Sequence, residues 1–182
     1  MNLSKSELEE LLSRAGNRSF DSTLFNIAHS YARAGEMAAS SIFSLNDADF
    51  AAPAIMCKSF AIELLLKFFM VVTHPGVRSY ADLKMLGVDL RGHTFSQLFD
   101  KIGAEFQHRI ASTFSVASNR TVNEAGFRAI LIEIGDDSFV HWRYIYEKNG
   151  FHHFDGTLFD TVLNALGKAA EAERQRVAQN TP

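Results

Sequence analysis

The segment that most constrains this chain is residues 51–72, the most apolar part of the sequence and long enough to span a bilayer. It contains Lys58, Glu63 and Lys67 near its middle. Each charge at bilayer depth costs about 2.5–3.5 kcal/mol on insertion scales, and the flanking apolar side chains do not offset three such costs. The segment is therefore predicted to be a helix buried inside a soluble protein, with no membrane as partner.

Composition and motifs exclude several classes of protein. The single cysteine, Cys57, excludes a disulfide framework and a cysteine-based zinc site. The formal net charge of −3 argues against a strongly basic nucleic-acid binder. The sequence has no HExxH, GxxxxGK[ST], GxGxxG or GxSxG motif, so we expect no metal and no cofactor. The first residues contain early acidic side chains and no signal-peptide core, which predicts a cytoplasmic protein.

Helical periodicity runs through most of the chain, and candidate strands are hard to find. Apolar or small side chains recur every three or four residues across 21–43 and across the last helix, which Asp155 can cap. The shorter segments with a helical pattern are 80–86, 93–102, 104–114, 123–134 and 138–147. Small residues in the first long helix, including Ala28 and Gly35, would let another helix approach closely.

These segments predict an all-α fold, an up-and-down bundle of four to five main helices with short additional helices. The length of 182 residues favours a single helical domain over 1–182, with its core at about 20–172. The polar end, 173–182, is expected to fray. Gly135 and the two aspartates after it break or bend a helix, and the pattern leaves both possibilities open.

The charged residues of the apolar helix follow a regular spacing. Ser59, Glu63 and Lys67 lie at positions i, i+4 and i+8, so they share one stripe, and Glu63 and Lys67 are in the favourable order for an ion pair. The stripe could face solvent, or Glu63 could face inward and pair with a cation on another helix. A catalytic Glu63 is a third possibility. An inward carboxylate would need a partner, because removing one member of a buried ion pair costs about 3–5 kcal/mol.

The sequence around Arg143 concentrates aromatic and charged side chains. Arg143 and Glu147 are i,i+4 neighbours, as are Trp142 and Tyr146, and His141 precedes them. Such a face could read nucleotides, because arginine contacts phosphate and aromatic rings stack on bases. It could equally be a packing face whose polar ends are satisfied by neighbours. An ion pair between Arg143 and Glu63 would serve either interpretation.

Histidines give weaker signals. The seven are scattered, and only His152 and His153 are adjacent, so no metal site is expected. His93 follows Gly92 at a predicted helix start, which favours a capping or packing role over catalysis.

Taken together, AIELLLKFF, RGHTFSQLF, FVHWRYIYE and the final amphipathic helix resemble the HEPN superfamily over roughly residues 21–170. The resemblance implies an all-α bundle that commonly forms a homodimer. It also implies either metal-independent ribonuclease activity in toxin–antitoxin, phage-defence or RNA-processing systems, or non-catalytic binding of nucleotides, RNA or a partner protein. The residues that match the family outside its catalytic motif imply a polar cluster between helices, with Glu63 against Arg143; they are Glu63, Lys67, His93, Arg143, Tyr146 and Glu147.

The catalytic motif of that family is missing. Its nucleases carry an arginine, four to six residues and then a histidine, but the corresponding positions after Arg143 hold Lys148, Asn149 and Gly150. The sequence therefore favours a HEPN-like binding or accessory module that is RNA- or nucleotide-associated in a defence or toxin–antitoxin context. One alternative is a divergent metal-independent ribonuclease, in which Arg143 stabilises charge on the phosphate and a non-standard histidine moves protons. The candidate histidines for that role are His93, His141 and His152. Another alternative is a structural protein-interaction domain.

Overall fold

The helices of this chain are seen in a computed structural model, which describes residues 4–6, 13, 18–74, 76–143 and 155–180. These ranges contain helices and no strand, which confirms the all-α prediction. In chain order the elements are α1 (Phe20–Leu45), a 3-10 helix (Ala48–Phe50), α2 (Ala51–Val71), α3 (Tyr80–Met85), α4 (Phe95–Asp100), α5 (Ala104–Ser118), α6 (Glu124–Glu133), α7 (Ser138–Arg143) and α8 (Gly156–Asn180).

Helix α2 is the central element, and most of its residues are buried. The predicted burial of this apolar segment inside the protein is confirmed, because α1, α4, α7 and α8 all pack against α2. None of the described helices combines the length and the apolar character that crossing a membrane requires.

Helix α1 lies along α2 at close range. Asn46 adopts a left-handed conformation at the end of α1, with φ 52°, and the 3-10 helix then leads the chain into α2. At the closest approach, a Cβ atom on Gly35 would lie 2.6 Å from Lys58 Cγ and 3.0 Å from the Ala54 carbonyl oxygen. Glycine is required there, and Ala28 is fully buried in the same interface. The prediction that these small residues permit close helix packing is confirmed.

Phenylalanines form much of the core between α2 and the helices that follow it. α5 packs on α6 and α8, and α4 packs on α6 and α2. One continuous cluster of buried side chains joins these helices. Its fully buried phenylalanines are Phe68, Phe69, Phe95, Phe99, Phe114, Phe127 and Phe159. Phe43, near the end of α1, is instead 86% exposed, so the phenylalanines do not all lie in the core.

Three helix boundaries correct the expectations from the sequence or decide between them. Gly135 has φ +96° and separates α6 from α7, so the chain breaks there rather than bends. The helix predicted from residue 93 begins at Phe95, and His93 lies in the loop before it. The end expected to fray from 173 is helical to Asn180, and Glu173 within it is buried and pairs with Arg109 of α5.

Candidate functional site

The carboxylate of Glu63 is the centre of the polar cluster. Its side chain is 1% exposed, in the middle of α2. Lys67 Nζ, one turn further along the same helix, donates a hydrogen bond to Glu63 Oε1 at 2.6 Å. His93 Nδ1 lies 2.9 Å from Glu63 Oε2. The structure therefore brings together Glu63, Lys67 and His93 from two regions of the chain.

This geometry decides between the interpretations of the charged stripe on α2. Ser59 and Glu63 are buried and the Lys67 side chain is only 14% exposed, so the solvent-facing interpretation is wrong. The Ser59 hydroxyl has no hydrogen-bond partner among the described residues. Glu63 faces inward, as the second interpretation expected. The basic side chains within 4 Å of the Glu63 carboxylate are Lys67 of the same helix and His93, however. Among the described residues, the predicted pair of Glu63 with Arg143 is not found at that distance.

His93 is held in place by the loop that carries it. Gly92 has φ +108°, a conformation that favours glycine, and it turns the chain just before His93. Beyond His93, the Asp136 carboxylate accepts hydrogen bonds from the Ser96 backbone N–H and the Ser96 hydroxyl, both at 2.6 Å. The Phe95 N–H also donates to the Asp136 carbonyl oxygen at 2.9 Å. Asp136 thus caps α4 and ties the His93 loop to the turn between α6 and α7.

A row of aromatic rings lies beside His93. The Phe139 ring, from α7, has its centroid 6.0 Å from that of His93. Phe60 of α2 stacks on Phe139 at 4.8 Å, and Tyr31 of α1 meets Phe60 edge-on at 4.6 Å. We call Tyr31, Phe60 and Phe139 the aromatic row. Tyr31 is 37% exposed and the two phenylalanines are half-buried, so the row reaches the surface.

Arg143 and His141 lie on different faces of α7. Arg143 is exposed and follows Phe139 by four residues, so it lies on the same face, one turn beyond the ring that contacts His93. His141 is two residues from either of them and therefore points elsewhere. Its half-buried ring lies 5.8 Å from the ring of buried Trp142. Of the candidate catalytic residues, His93 contacts Phe139, Arg143 follows Phe139 by one helical turn, and His141 packs against Trp142.

Three sequence candidates cannot be placed. Tyr146, Glu147 and His152 lie outside the described residues. Within the described ranges, no three His, Cys, Asp or Glu side chains converge as metal ligands would.

The His93 ring is half-exposed, and one of its two nitrogens is held by the Glu63 carboxylate. An ionised carboxylate only accepts hydrogen bonds, so Glu63 assigns the proton of a neutral His93 ring to Nδ1. The other ring nitrogen, Nε2, then carries a lone pair, and the His93 side chain is 54% exposed. Such a group can accept a hydrogen bond or act as a general base. Because the Glu63 carboxylate is buried beneath it, the ring is held rather than free to rotate.

Sequence reasoning missed Asp136 as a positioning residue and the aromatic row as a surface. In the sequence, Asp136 was noted as part of the break or bend at Gly135, whereas in the structure it caps α4, 40 residues earlier in the chain. The spacing of Phe139 and Arg143 is a signal that the sequence does contain, since the two residues are i,i+4 neighbours.

No family model, curated protein or solved structure matches this chain.

Proposed function

We propose that this chain is a HEPN-like helical binding module whose ligand-contacting surface consists of His93, Arg143 and the aromatic row. One observation carries the proposal: a half-exposed histidine is held by a fully buried carboxylate. A histidine used for packing alone would not need a buried carboxylate to hold its half-exposed ring. Buried ion pairs also contribute little to stability in themselves, so Glu63 is better explained by the orientation it gives to His93.

The chemistry of this surface suits a short RNA or a nucleotide. Arg143 can donate two hydrogen bonds to a phosphate, and His93 can add a third contact. Tyr31 and Phe139 offer ring faces on which bases can stack, which is how single-stranded RNA is commonly bound. A chain with a net charge of −3 is not suited to binding a long stretch of RNA backbone. We therefore propose a short ligand that binds at this surface only. A defence or toxin–antitoxin context belongs to the same proposal and rests on the sequence resemblance.

The proposal includes an up-and-down HEPN-like arrangement and a homodimer. Exposed apolar side chains on α1 support the dimer, because patches of this kind mark interaction surfaces. They include Ile27, Met37 and Leu45, which are 41%, 71% and 64% exposed. Sedimentation equilibrium should give twice the chain mass of 20.3 kDa. A mass of one chain at the concentrations used for binding would contradict the dimer.

A second candidate function is a divergent metal-independent ribonuclease, which the pairing of Glu63 with His93 specifically favours. In that reaction His93 Nε2 would take the proton of a ribose 2′-hydroxyl as its oxygen attacks the adjacent phosphorus. The bond to the 5′-oxygen would break, and Arg143 would stabilise the charge on the phosphate oxygens. The leaving 5′-oxygen would take its proton from water or from the protonated His93.

Fluorescence anisotropy with a labelled RNA hexamer and with labelled AMP tests the proposal. We expect His93→Gln and Arg143→Gln each to weaken binding about tenfold or more, since each removes a contact to a charged group. The control is Arg120→Gln, which removes an exposed cation from the loop between α5 and α6. Equal binding by all four proteins, or no binding at all, would contradict the proposal and favour a structural protein-interaction domain.

The same samples separate the two functions. Incubation of 5′-labelled RNA with EDTA and the wild-type protein should leave the RNA intact if the chain is a binding module. Cleavage that His93→Gln abolishes would establish the ribonuclease instead.

A further inference from the structure

A second surface feature is a groove on the side of α1 away from the aromatic row. Helices α1 and α8 both pack on α2 but make few contacts with each other, so a groove remains between them with α2 below. The two helices run in opposite directions. The Arg174 guanidinium of α8 lies 4.2 Å above the Phe25 ring near the start of α1, and Lys58 joins Glu36 of α1 to Asp160 near the start of α8.

The floor of the groove is apolar, and small residues on its sides leave it open to solvent. Ala28, Leu65 and Leu163 are buried in the floor, and Ala32 and Gly167 line the walls. A Cβ on Gly167 would lie 3.9 Å from His29 Cε1, so even alanine there would narrow the opening. The volume is about 340 Å³, which is within the range of pockets that take small organic molecules.

Side-chain contacts between helices lie at the two ends of the groove. At one end the His29 ring packs against Phe25, with centroids 4.2 Å apart. Burial lowers the pKa of His29; nearby Glu171 opposes this effect and Arg174 adds to it. The His29 ring is therefore neutral at pH 7. At the other end the ion pairs of Lys58 with Glu36, at 2.9 Å, and with Asp160, at 2.8 Å, join the three helices.

The acidic and basic side chains along the groove differ in whether they have a partner. Glu36 is paired with Lys58, and Glu171 accepts a hydrogen bond from the Gln175 side-chain amide at 3.1 Å. Arg33 and Lys168 line opposite walls, and neither has an ion pair within 4 Å among the described residues. The groove thus offers two available cations above an apolar floor.

We infer that this groove binds a small organic monoanion, a carboxylate on a flat apolar body, with its head group between Arg33 and Lys168. Arginine suits a carboxylate because its guanidinium can donate two parallel hydrogen bonds. The apolar body lies on Ala28, Leu65 and Leu163. A single negative charge fits best, since Glu36 and Glu171 on the same rim repel a dianion. This site is separate from the His93 surface, which lies on the opposite flank of α1.

Titration calorimetry with three naphthalene probes of one shape tests the inference: 2-naphthoate, neutral 2-naphthamide and dianionic 2-naphthyl phosphate. We expect naphthoate to bind at least tenfold more tightly than either of the others. Lys168→Gln and Arg33→Gln should each weaken naphthoate binding about tenfold and leave the amide unchanged. Both residues are exposed, so these variants keep the fold. Lys84→Gln, which removes an exposed lysine from distant α3, should bind like the wild type.

Filling the groove is an independent test. Ala32→Leu should abolish the binding of all three probes, and its thermal midpoint shows that it has folded. Absence of saturable naphthoate binding at millimolar concentration would overturn the inference. So would undiminished binding by Ala32→Leu or Lys168→Gln. Equal or tighter binding of the phosphate would overturn the assignment of a monoanion.

Discussion

Replacing Lys67 by methionine tests how much the protein depends on the buried charge of Glu63. The Glu63 side chain is 1% exposed, and the Lys67 ammonium is its nearest cation at 2.6 Å. Removing one partner of a buried ion pair costs about 3–5 kcal/mol, because the remaining charge is left without compensation. That is a large part of the 5–15 kcal/mol or so that stabilises an ordinary domain.

Removing both charges should cost much less. In Glu63→Leu with Lys67→Met the buried carboxylate is gone, and the half-exposed His93 can hydrogen-bond to water instead. Apolar replacement of a whole buried pair is often neutral or even stabilising. We therefore expect the double variant to lie within about 1 kcal/mol of the wild type, well above Lys67→Met alone.

Urea unfolding provides the assay, with the fluorescence of Trp142 as the probe. Trp142 is the single tryptophan and is 8% exposed in α7, which packs on α2 near the site. With a slope of about 2 kcal/mol per molar urea, a loss of about 4 kcal/mol lowers the unfolding midpoint by about 2 M. Lys84→Met, on the surface, is the control and should change the free energy of unfolding by less than about 0.5 kcal/mol. The reasoning is refuted if Lys67→Met behaves like this control, or if the double variant is as unstable as the sum of the single ones.

Three further predictions follow from single contacts. Asp136→Ala should lower the free energy of unfolding by about 1–2 kcal/mol through loss of the α4 cap, measured in urea, and should also weaken RNA binding because the His93 loop is released. Gly135→Ala should destabilise by at least about 1 kcal/mol in the same assay, since φ is +96° and the added Cβ would lie 2.4 Å from Ser138 Oγ. Burial lowers the pKa of Lys58, but its hydrogen bonds and ion pairs to two carboxylates outweigh this and raise it above 10.5. A raised lysine pKa stabilises the folded protein fully at pH values below the pKa of the unfolded state. This stabilisation is lost as the pH rises through the pKa of the folded state. The wild type should therefore lose stability above pH 10.5 relative to Lys58→Met, and parallel alkaline unfolding curves would contradict this.

Local rules predicted most of the helices and part of the site. The nearly continuous apolar residues of α2 indicated burial, and the i,i+4 spacing by itself placed Glu63 beside Lys67. Both features depend on residues within two turns of one helix. The small residues of α1 similarly anticipated its close packing on α2, at Gly35 above all.

Contacts between distant segments were beyond those rules. His93 reaches Glu63 because Asp136 caps α4, and each of these contacts joins residues at least 30 positions apart. The end of α8 was expected to fray because Glu173 and its neighbours are polar. Glu173 is instead buried, and its charge is paired with Arg109 of α5. The sequence of α8 alone does not indicate this partner. Spacing along a helix predicts neighbours on that helix, whereas partners on other helices depend on how the bundle packs.

The nitrogen resonances of the His93 ring test the central claim most directly. In protein with ¹⁵N-labelled histidine, the account predicts that the neutral His93 ring has its proton on Nδ1 and a lone pair on Nε2. Glu63→Gln should disturb this assignment. Adding an RNA hexamer or AMP should shift the Nε2 signal of His93 and leave unchanged that of His108, which is exposed and paired with Glu124 far from the site. A proton on Nε2 in the wild type, or a His93 signal that no RNA or nucleotide moves, would contradict the account.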